Sequence, residues 1–316
     1  MGKKADKKDG KKAVKAEKKL AKKAAVPTID QQNLLNTAQM AEFVARGFLR
    51  FDELVPEAIN QAAIAEFDAG TTKSAPAGTP LSQCYPPESA VGRLLALPQI
   101  QGIIHSLVGP DPAFDHQAIH VRQPNEGKAQ GMHGDSIIDT RLHFDIQLMY
   151  LPHDVPLEMG GTLVVPGSQY RRINEMDIAR YQNFKGQIPM VCKAGTILVL
   201  HHGIWHCGRQ NQTDQKRYMF KVRLNPVVRQ YRLWNTSDLD QMTGSNKTIF
   251  TRDTNAVEDV QTILSRQEPW FEAAGGRLEI INRIKQWRFL TGDENFDVHY
   301  WLTRLENMPE NRLQAA

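Results

Sequence analysis

The sequence has few cysteines and no Cys-x-x-Cys pair. Only Cys84, Cys192 and Cys207 are present among 316 residues. Three cysteines cannot build a disulfide framework, and the missing pair argues against a zinc ribbon. A count this low is typical of proteins from a reducing compartment, so we expect a cytoplasmic protein.

Long apolar runs are also missing. No stretch approaches the roughly 18–20 apolar residues that a membrane-spanning helix needs, so the sequence predicts no membrane span. Hydrophobic residues nevertheless make up 41% of the chain, which is enough for a packed core and excludes a wholly disordered protein. The length of 316 residues fits one large domain or two ordinary ones.

Positive charge is concentrated at the start of the chain. Residues 1–25 contain eleven Lys and three acidic residues, a net charge of +8, while the whole chain has +4, so the remainder has −4. The remainder therefore lacks the basic surface typical of nucleic-acid-binding domains. We interpret residues 1–28 as a disordered, Lys-rich tail that makes at most weak, salt-sensitive contacts with polyanions.

Helical periodicity dominates the segment that follows the tail. Residues 36–68 have apolar positions at helical spacing and predict two helices, with Pro56 at the start of the second. Residues 69–90 are rich in Gly, Pro, Ser and Thr and predict a long loop. Residues 89–108 predict one further helix.

The pattern changes over residues 114–226, where short extended runs are separated by Gly, Pro and Asn. These runs are Ala118–Arg122, His143–Leu151, Thr162–Val165, Thr196–Leu200 and Tyr218–Leu224. Short strands separated by turn signals predict an antiparallel sandwich or barrel. The helical pattern then returns, most clearly over Val257–Arg266 and Leu278–Phe289.

Two histidines in this β-rich region precede an aspartate by two positions. They are His133, before Asp135, and His143, before Asp145. In extended backbone, residues two apart point to the same side, so either pair can present an imidazole and a carboxylate to one metal ion. A third ligand from a distant strand would complete a two-His, one-carboxylate face with open positions, as Fe(II) oxygenases require.

The third ligand is expected after a later apolar strand. The run Ala194–Leu200 predicts such a strand and leads to His201, His202 and His206. Arg217 follows His206 by eleven residues and opens the next predicted strand, where a guanidinium can grip the far end of a dicarboxylate. His201 and His202 are interpreted either as turn histidines or as residues that orient a ligand or contact substrate.

The order of these segments is the most informative feature of the chain. The segments are MHGD (132–135), IQLMYL (146–151), MGGTLVVPGS (159–168), AGTILVL (194–200) and HCGRQNQTDQKR (206–217). Over about residues 115–226 this order resembles the phytanoyl-CoA dioxygenase family of Fe(II)/2-oxoglutarate-dependent oxygenases. The last segment is the most specific, because its His, Asn, Thr and Arg keep the family's spacing. The resemblance implies a mainly β core with flanking helices, built as a double-stranded β-helix, or jelly roll.

The resemblance also implies roles for particular residues. His133, Asp135 and His206 would bind Fe(II), and Arg217 would bind the distal carboxylate of the cosubstrate 2-oxoglutarate. The implied reaction is hydroxylation of a small organic substrate with release of succinate and CO2. Asp135 favours hydroxylation over halogenation, because halogenating relatives replace this carboxylate with a small residue to admit chloride.

The position of the His-x-Asp pair distinguishes the two candidates. The family places its pair before the core strand and after a Pro- and Gly-bearing segment, which favours His133 and leaves His143 with Asp145 as the alternative. Thr162, in a Gly-Gly-Thr turn, and Gln123 are the other residues that we expect beside the cosubstrate.

Two positions depart from the family pattern. Gln169 stands where the family often has His after Pro-Gly-Ser, a change that we expect to affect packing more than chemistry. Cys207 and Gly208 stand where the family often has Gly-Ser after its distal His. A small hydroxyl contact to the cosubstrate is therefore expected to be missing.

We expect three parts: the tail, a double-stranded β-helix oxygenase domain with N-terminal helices over residues 29–226, and a helical extension over residues 227–316 packed on the core. The alternative function is a non-catalytic, cupin-like binding module, which could lose Arg217 or the aspartate yet keep the strands. Arg217 also argues against a cosubstrate-independent metalloenzyme, and the net charge of −4 outside the tail argues against an oxygenase acting on nucleic acid. The sequence indicates neither the substrate nor the oligomeric state.

Overall fold

The computed structural model describes residues 29–136, 142–171, 183–243, 259–271 and 273–298. The Lys-rich tail and the first residues of the helix predicted at Val257–Arg266 lie outside these ranges. Within them, helices precede and follow a block of strands. No helix in this part of the chain is both long and apolar enough to cross a membrane.

The helices form two groups, one before residue 113 and one after residue 225. In chain order they are α1 (Thr37–Arg46), α2 (Glu57–Ala69), α3 (Ala90–Leu95), α4 (Pro98–Val108), α5 (Leu239–Thr243), α6 (Val260–Ser265) and α7 (Ala273–Thr291). The single helix predicted over 89–108 is wrong, because the structure has two helices there. Leu97 is extended (φ −62°, ψ 128°), since a residue before proline avoids helical backbone, and Pro98 then starts α4.

The described residues contain eight strands, of which the first lies between α1 and α2 and the other seven lie between the two groups of helices. They are β1 (Phe48–Phe51), β2 (Ala113–Arg122), β3 (Ile146–Leu151), β4 (Thr162–Val164), β5 (Ile188–Pro189), β6 (Thr196–His201), β7 (His206–Gly208) and β8 (Arg217–Asn225). β1, β5 and β7 were not predicted, because strands of two to four residues are too short to show a period. The predicted start of β2, at Ala118, is five residues too late, and that of β3, at His143, is three residues too early.

The strands form two antiparallel sheets. The larger sheet has the order β1-β6-β3-β8-β2, and the smaller has the order β5-β4-β7. An apolar layer joins them, with Met149, Leu198 and Met219 from the larger sheet and Val164 from the smaller one. The prediction of a jelly-roll core with flanking helices is confirmed, although the described strands do not close into a barrel.

The central strands are buried on both faces. In β6, Ile197 and Val199 pack against the helices, whereas Leu198 and Leu200 pack between the sheets. Two covered faces explain why these strands are continuous apolar runs rather than alternating ones.

Helices from both ends of the chain share one core on the outer face of the larger sheet. Trp234 and Trp287 lie with ring centroids 5.6 Å apart, and both belong to the same buried cluster as Phe43 of α1 and Phe220 of β8. Residues beyond 226 thus pack on the same sheet face as the N-terminal helices. The division of the chain at residue 226 stays a prediction.

Gly47 connects α1 to β1 in a left-handed conformation (φ +76°). Its carbonyl accepts a hydrogen bond of 2.8 Å from the His201 amide, so this turn holds β1 beside β6. A Cβ added at Gly47 would lie 2.5 Å from Gln169 Oε1. The Gln169 amide in turn donates to the Val44 carbonyl at 2.9 Å. Gln169 therefore has the packing role that we expected from its departure from the family pattern.

We predict that Gly47→Ala lowers the free energy of unfolding through two effects. Left-handed backbone costs about 1–2 kcal/mol, and the collision with Gln169 adds about 1–3 kcal/mol. The matched control is Gly70→Ala, because Gly70 also ends a helix in left-handed backbone (φ +64°) but nothing lies within 4 Å of an added Cβ. Urea denaturation compares the variants, and equal losses of stability would contradict the collision with Gln169.

Candidate metal centre

Backbone pairing joins two histidines that are 73 positions apart in the sequence. The His133 amide donates to the His206 carbonyl at 3.0 Å, and the His206 amide donates to the His133 carbonyl at 2.8 Å. His206 opens β7, an edge strand of the smaller sheet, so this bridge attaches the segment carrying His133 to that edge. The two ring centroids lie 4.5 Å apart as a result.

Asp135 adds a carboxylate to this histidine pair. Its Oδ1 lies 3.7 Å from His133 Nε2, and its Oδ2 lies 3.6 Å from His206 Nε2. These separations are too long for hydrogen bonds. The three side chains each offer one ligand atom within 4.8 Å of the others, so they could share a metal ion. Two imidazoles and a carboxylate are the donor set of non-haem iron sites.

A backbone carbonyl orients each imidazole. His133 Nδ1 lies 2.8 Å from the Gly131 carbonyl, and His206 Nδ1 lies 3.0 Å from the Ile204 carbonyl. A carbonyl only accepts, so Nδ1 carries the proton and the lone pair of Nε2 is available to a metal. Burial lowers the pKa of His206 to about 4, which keeps the ring neutral near pH 7, as metal binding requires.

Three other polar groups surround the carboxylate of Asp135. The buried amide of Gln147, on β3, donates a hydrogen bond to Oδ2, while His202 Nε2 and Lys221 Nζ each lie 3.9 Å from the same oxygen. Burial acts to raise the pKa of Asp135, but His206 and the neighbouring cations outweigh it and hold that pKa below its usual value. The carboxylate is therefore ionised and fixed in direction near pH 7.

Arg217, the first residue of β8, is only 4% exposed. Its Nη1 donates to the carbonyls of Met159 and Arg209, each at 3.3 Å. No carboxylate of a described residue lies within ion-pair distance of its guanidinium. Burial, reinforced by Arg122, lowers the pKa of Arg217 to about 10, so it stays charged near neutrality. The Glu126 carboxylate opposes this shift, but it is paired with Arg122 and lies outside ion-pair distance of Arg217. The Arg217 guanidinium can therefore bind a further anion through charge-assisted hydrogen bonds.

Successive side chains of β8 point alternately to the hydrophobic core and to a cavity. Tyr218, Phe220 and Val222 pack into the helix-side core, whereas Arg217 and Lys221 line a cavity on the opposite face. The cavity is narrow, with a volume of about 30 Å³. The other residues around it are His120, Arg122, Gln130, His133, Met149, Thr162, His206, Gly208 and Met219.

The cavity gathers most of the predicted site residues. His133, His206, Thr162 and Arg217 line it, and Asp135 lies against both histidines. The Thr162 hydroxyl is 3.8 Å from the Met219 sulfur, at the base of the smaller sheet. The geometry thus places the predicted metal ligands and the predicted carboxylate-binding arginine at one cavity, and their roles stay predictions.

Other predicted residues lie away from this cavity. Gln123 is exposed, and its carbonyl accepts a hydrogen bond of 3.0 Å from the Asn211 amide. Among the alternative ligands, His143 packs edge-on against Phe289, with ring centroids 4.8 Å apart, and Asp145 pairs with Arg223 at 2.5 Å. The structure therefore does not bring the second His-x-Asp pair to the cluster.

His201 and His202 occupy different environments. His201 stacks on Phe144, with ring centroids 5.3 Å apart, and its Nδ1 accepts from the Gly203 amide at 3.0 Å. These contacts give His201 a packing role. His202 is 2% exposed and approaches Asp135, as a residue that orients a ligand would.

At Gly208, where the sequence departs from the family pattern, another side chain occupies the space. The Gly208 amide donates to Gln130 Oε1 at 2.9 Å, and a Cβ added at Gly208 would lie 2.8 Å from that oxygen. Gln130 therefore occupies the space in which a side chain at position 208 would begin. Sequence reasoning missed Gln130, Gln147 and Lys221. Gln147 offered a signal, as the amide within the otherwise apolar run IQLMYL, whereas Lys221 is one of several charged residues along β8.

The chain belongs to the phytanoyl-CoA dioxygenase family, whose sequence profile matches residues 11–219. The predicted resemblance is thereby confirmed. No curated protein matches the chain closely enough to count as a relative.

Several solved structures are similar to this chain. HygX from Streptomyces hygroscopicus is 14% identical, with a TM-score of 0.50 over 64% of this chain and 89% of its own. The non-haem alpha-ketoglutarate-dependent carbocyclase SnoK, from nogalamycin biosynthesis, is 18% identical (TM-score 0.49, 68% of this chain and 93% of its own). EctD from S. alaskensis, solved with 2-oxoglutarate and 5-hydroxyectoine, is 15% identical (TM-score 0.48, 64% and 80%). At this identity, the likeness to HygX supports the fold alone.

The contact between Gln147 and Asp135 generates a prediction about metal affinity. Gln147→Leu removes the donor that directs the carboxylate, and loss of such a partner lowers metal affinity about 10- to 100-fold. Calorimetric titration with Zn(II) measures the change. Gln230→Leu is the matched control, because Gln230 is an equally buried glutamine that binds backbone groups of Phe144 and Leu107 instead. Unchanged Zn(II) affinity in Gln147→Leu would rule out this role.

Proposed function

We propose that the protein is an Fe(II)/2-oxoglutarate-dependent dioxygenase that hydroxylates a small organic substrate and releases succinate and CO2. The main support is a single cavity that brings together the two-His, one-carboxylate cluster and the buried guanidinium of Arg217. That guanidinium has no ion-pair partner among the described residues. The cluster alone would fit several metalloenzymes. The arginine adds a specific requirement for an anionic ligand in the same space.

The three candidate ligands fit iron by their chemistry. His133 and His206 each direct an unprotonated Nε2 to the point that the Asp135 carboxylate faces. Three protein ligands on one side leave positions open for other molecules. Bound there, Fe(II) would supply the redox chemistry that couples decarboxylation of 2-oxoglutarate by O2 to hydroxylation of a C–H bond.

The remaining residues bind and shield the cosubstrate. Arg217 binds its distal carboxylate through charge-assisted hydrogen bonds, while Thr162 and Met219 flank the carbon chain between that end and the metal. The apolar layer between the sheets lies directly beneath them and excludes water. Gln123, which is exposed outside the cavity, is not part of this proposed assembly.

The presence of Asp135 favours hydroxylation within this proposal. Its carboxylate occupies the ligand position that would have to be vacated to admit a halide, and Gln147 holds it there. A non-catalytic, cupin-like module is disfavoured, because such a module would have no need to bury, beside the cluster, an arginine that has no ion-pair partner among the described residues.

The first test removes the ligands one at a time. We expect His133→Ala, Asp135→Ala and His206→Ala each to abolish Fe(II) binding or succinate release, because two remaining protein ligands hold the ion too weakly. His143→Ala and Asp145→Ala are the controls, since the structure places both outside the cluster. Anaerobic Fe(II) titration followed by succinate assay provides the measurement. If the control variants lost iron while His133→Ala kept it, the ligand assignment would be wrong.

The second test concerns the cosubstrate end of the cavity. Arg217→Ala should weaken 2-oxoglutarate binding by about 1.5–3 kcal/mol, the usual contribution of a hydrogen bond to a charged group. Iron affinity should not change. Arg209→Ala removes a neighbouring, half-buried arginine and is the control, because among the described residues its guanidinium donates only to the Leu157 carbonyl. Anaerobic calorimetry measures both affinities, and equal cosubstrate affinity in wild type and Arg217→Ala would exclude the arginine from the site.

A further inference from the structure

The proposed function leaves two cations of the cavity unused, Arg122 and Lys221. Lys221 is the one beside a candidate metal ligand. It lies on the same face of β8 as Arg217, four positions further along, which corresponds to about 13 Å of strand. Its side chain is 16% exposed, and its Nζ lies 3.9 Å from Asp135 Oδ2. Arg217 and Lys221 therefore stand at opposite ends of the cavity, with Met219 between them.

The other cations on this sheet face already have carboxylate partners. Arg122 pairs with Glu126, four residues away in the chain. Arg223 pairs with Asp145 at 2.5 Å and lies 3.8 Å from Asp115. Neither cation therefore requires a further anion.

Lys221 differs because its partner is a candidate metal ligand. Among the described residues, Asp135 provides the only carboxylate within ion-pair distance of its ammonium. A divalent ion on the cluster would take up that carboxylate and place a second positive charge nearby. A largely buried ammonium would then need another anion, because an uncompensated buried charge is costly.

A second observation indicates a polar ligand at the same place. His120 faces Met219 across the pairing of β2 with β8, and its buried Nε2 has no hydrogen-bond partner among the described residues. Buried polar atoms are nearly always satisfied, so an orphaned nitrogen in a cavity wall indicates a group that the cavity binds. His120 lies between the two cations, along the path that an extended dicarboxylate would follow.

We infer that Lys221 is a second anchor for the cosubstrate, whose ammonium binds the keto-acid carboxylate of 2-oxoglutarate beside the metal. This inference rests on the proposed function and deepens it. Arg217 and Lys221 then hold the two ends of one dianion, and Lys221 exchanges its contact with Asp135 for the incoming carboxylate. Lys221 is thus a cosubstrate-binding residue that also links metal loading to cosubstrate binding.

The experiment uses the full chain loaded with Zn(II), which is redox-inert, and measures two affinities by calorimetry. Lys221→Met should bind Zn(II) as tightly as wild type or more tightly, because a like charge has been removed from the ion's surroundings. Its affinity for 2-oxoglutarate should fall tenfold or more. Lys221→Arg, which keeps the charge, should lose less than Lys221→Met. Lys216→Met is the matched control, since Lys216 is an exposed lysine, directly before Arg217 in the chain, that pairs with Asp68 at 3.0 Å.

A second probe identifies which carboxylate Lys221 binds. The probe 2-oxopentanoate has the keto-acid end of the cosubstrate but no distal carboxylate. Its affinity should depend on Lys221 and be insensitive to Arg217→Ala, whereas 2-oxoglutarate should depend on both residues.

Each failure has its own signature. Wild-type affinity of Lys221→Met for both probes, with weakened 2-oxoglutarate binding in Arg217→Ala, would overturn the role of Lys221 and leave the proposed function intact. Weaker Zn(II) binding in Lys221→Met would indicate a structural role and also overturn it. Absence of 2-oxoglutarate binding to the Zn(II)-loaded wild type would overturn the proposed function and this inference together.

Discussion

The pair of backbone hydrogen bonds between His133 and His206 is the constraint on which the candidate centre depends. It ties an irregular segment to an edge strand of the smaller sheet and sets the distance between the two imidazoles. Asp135 then needs only the two-residue period of extended backbone to face both rings. The side-chain contacts of the centre refine an arrangement that main-chain pairing has already fixed, so the ligand geometry does not rely on long, flexible side chains.

Much of the fold could be predicted because its core strands are short apolar runs with clear turn signals. β6 and β3 were found in this way, since burial on both faces makes each run continuous. β1 was not found, because its four residues, FLRF, form a strand only by pairing with the distant β6. The break between α3 and α4 was also missed, although the backbone restriction at Leu97, before Pro98, was available in the sequence.

Site residues could be predicted where their spacing in the sequence follows a known pattern. Residues that join the site only through contacts in the folded chain could not. The spacing of His133, Asp135, His206 and Arg217 is local to strands and turns, so a family pattern can locate these residues. Gln123 is exposed and its carbonyl contacts Asn211, a neighbour that spacing along the chain does not indicate, so its place beside the cosubstrate stays a prediction. Gln147 and Lys221 become relevant only when β3, β8 and the loop bearing Asp135 converge. In the sequence, Gln147 resembles a single amide in an apolar strand, and Lys221 resembles one more charged residue in an alternating one.

The alternating orientation of the β8 side chains limits which mutations this strand can accept during evolution. Odd-numbered positions from 217 to 223 face the cavity or its margin, while the even-numbered ones belong to the hydrophobic core. Substitutions at the odd positions can therefore alter ligand preference while leaving the packing against the helices intact. An inserted or deleted residue would instead exchange the two sets, sending guanidinium groups into the core and aromatic rings into the cavity. We expect evolutionary drift in this strand to proceed by replacement at alternate positions and to exclude changes in length.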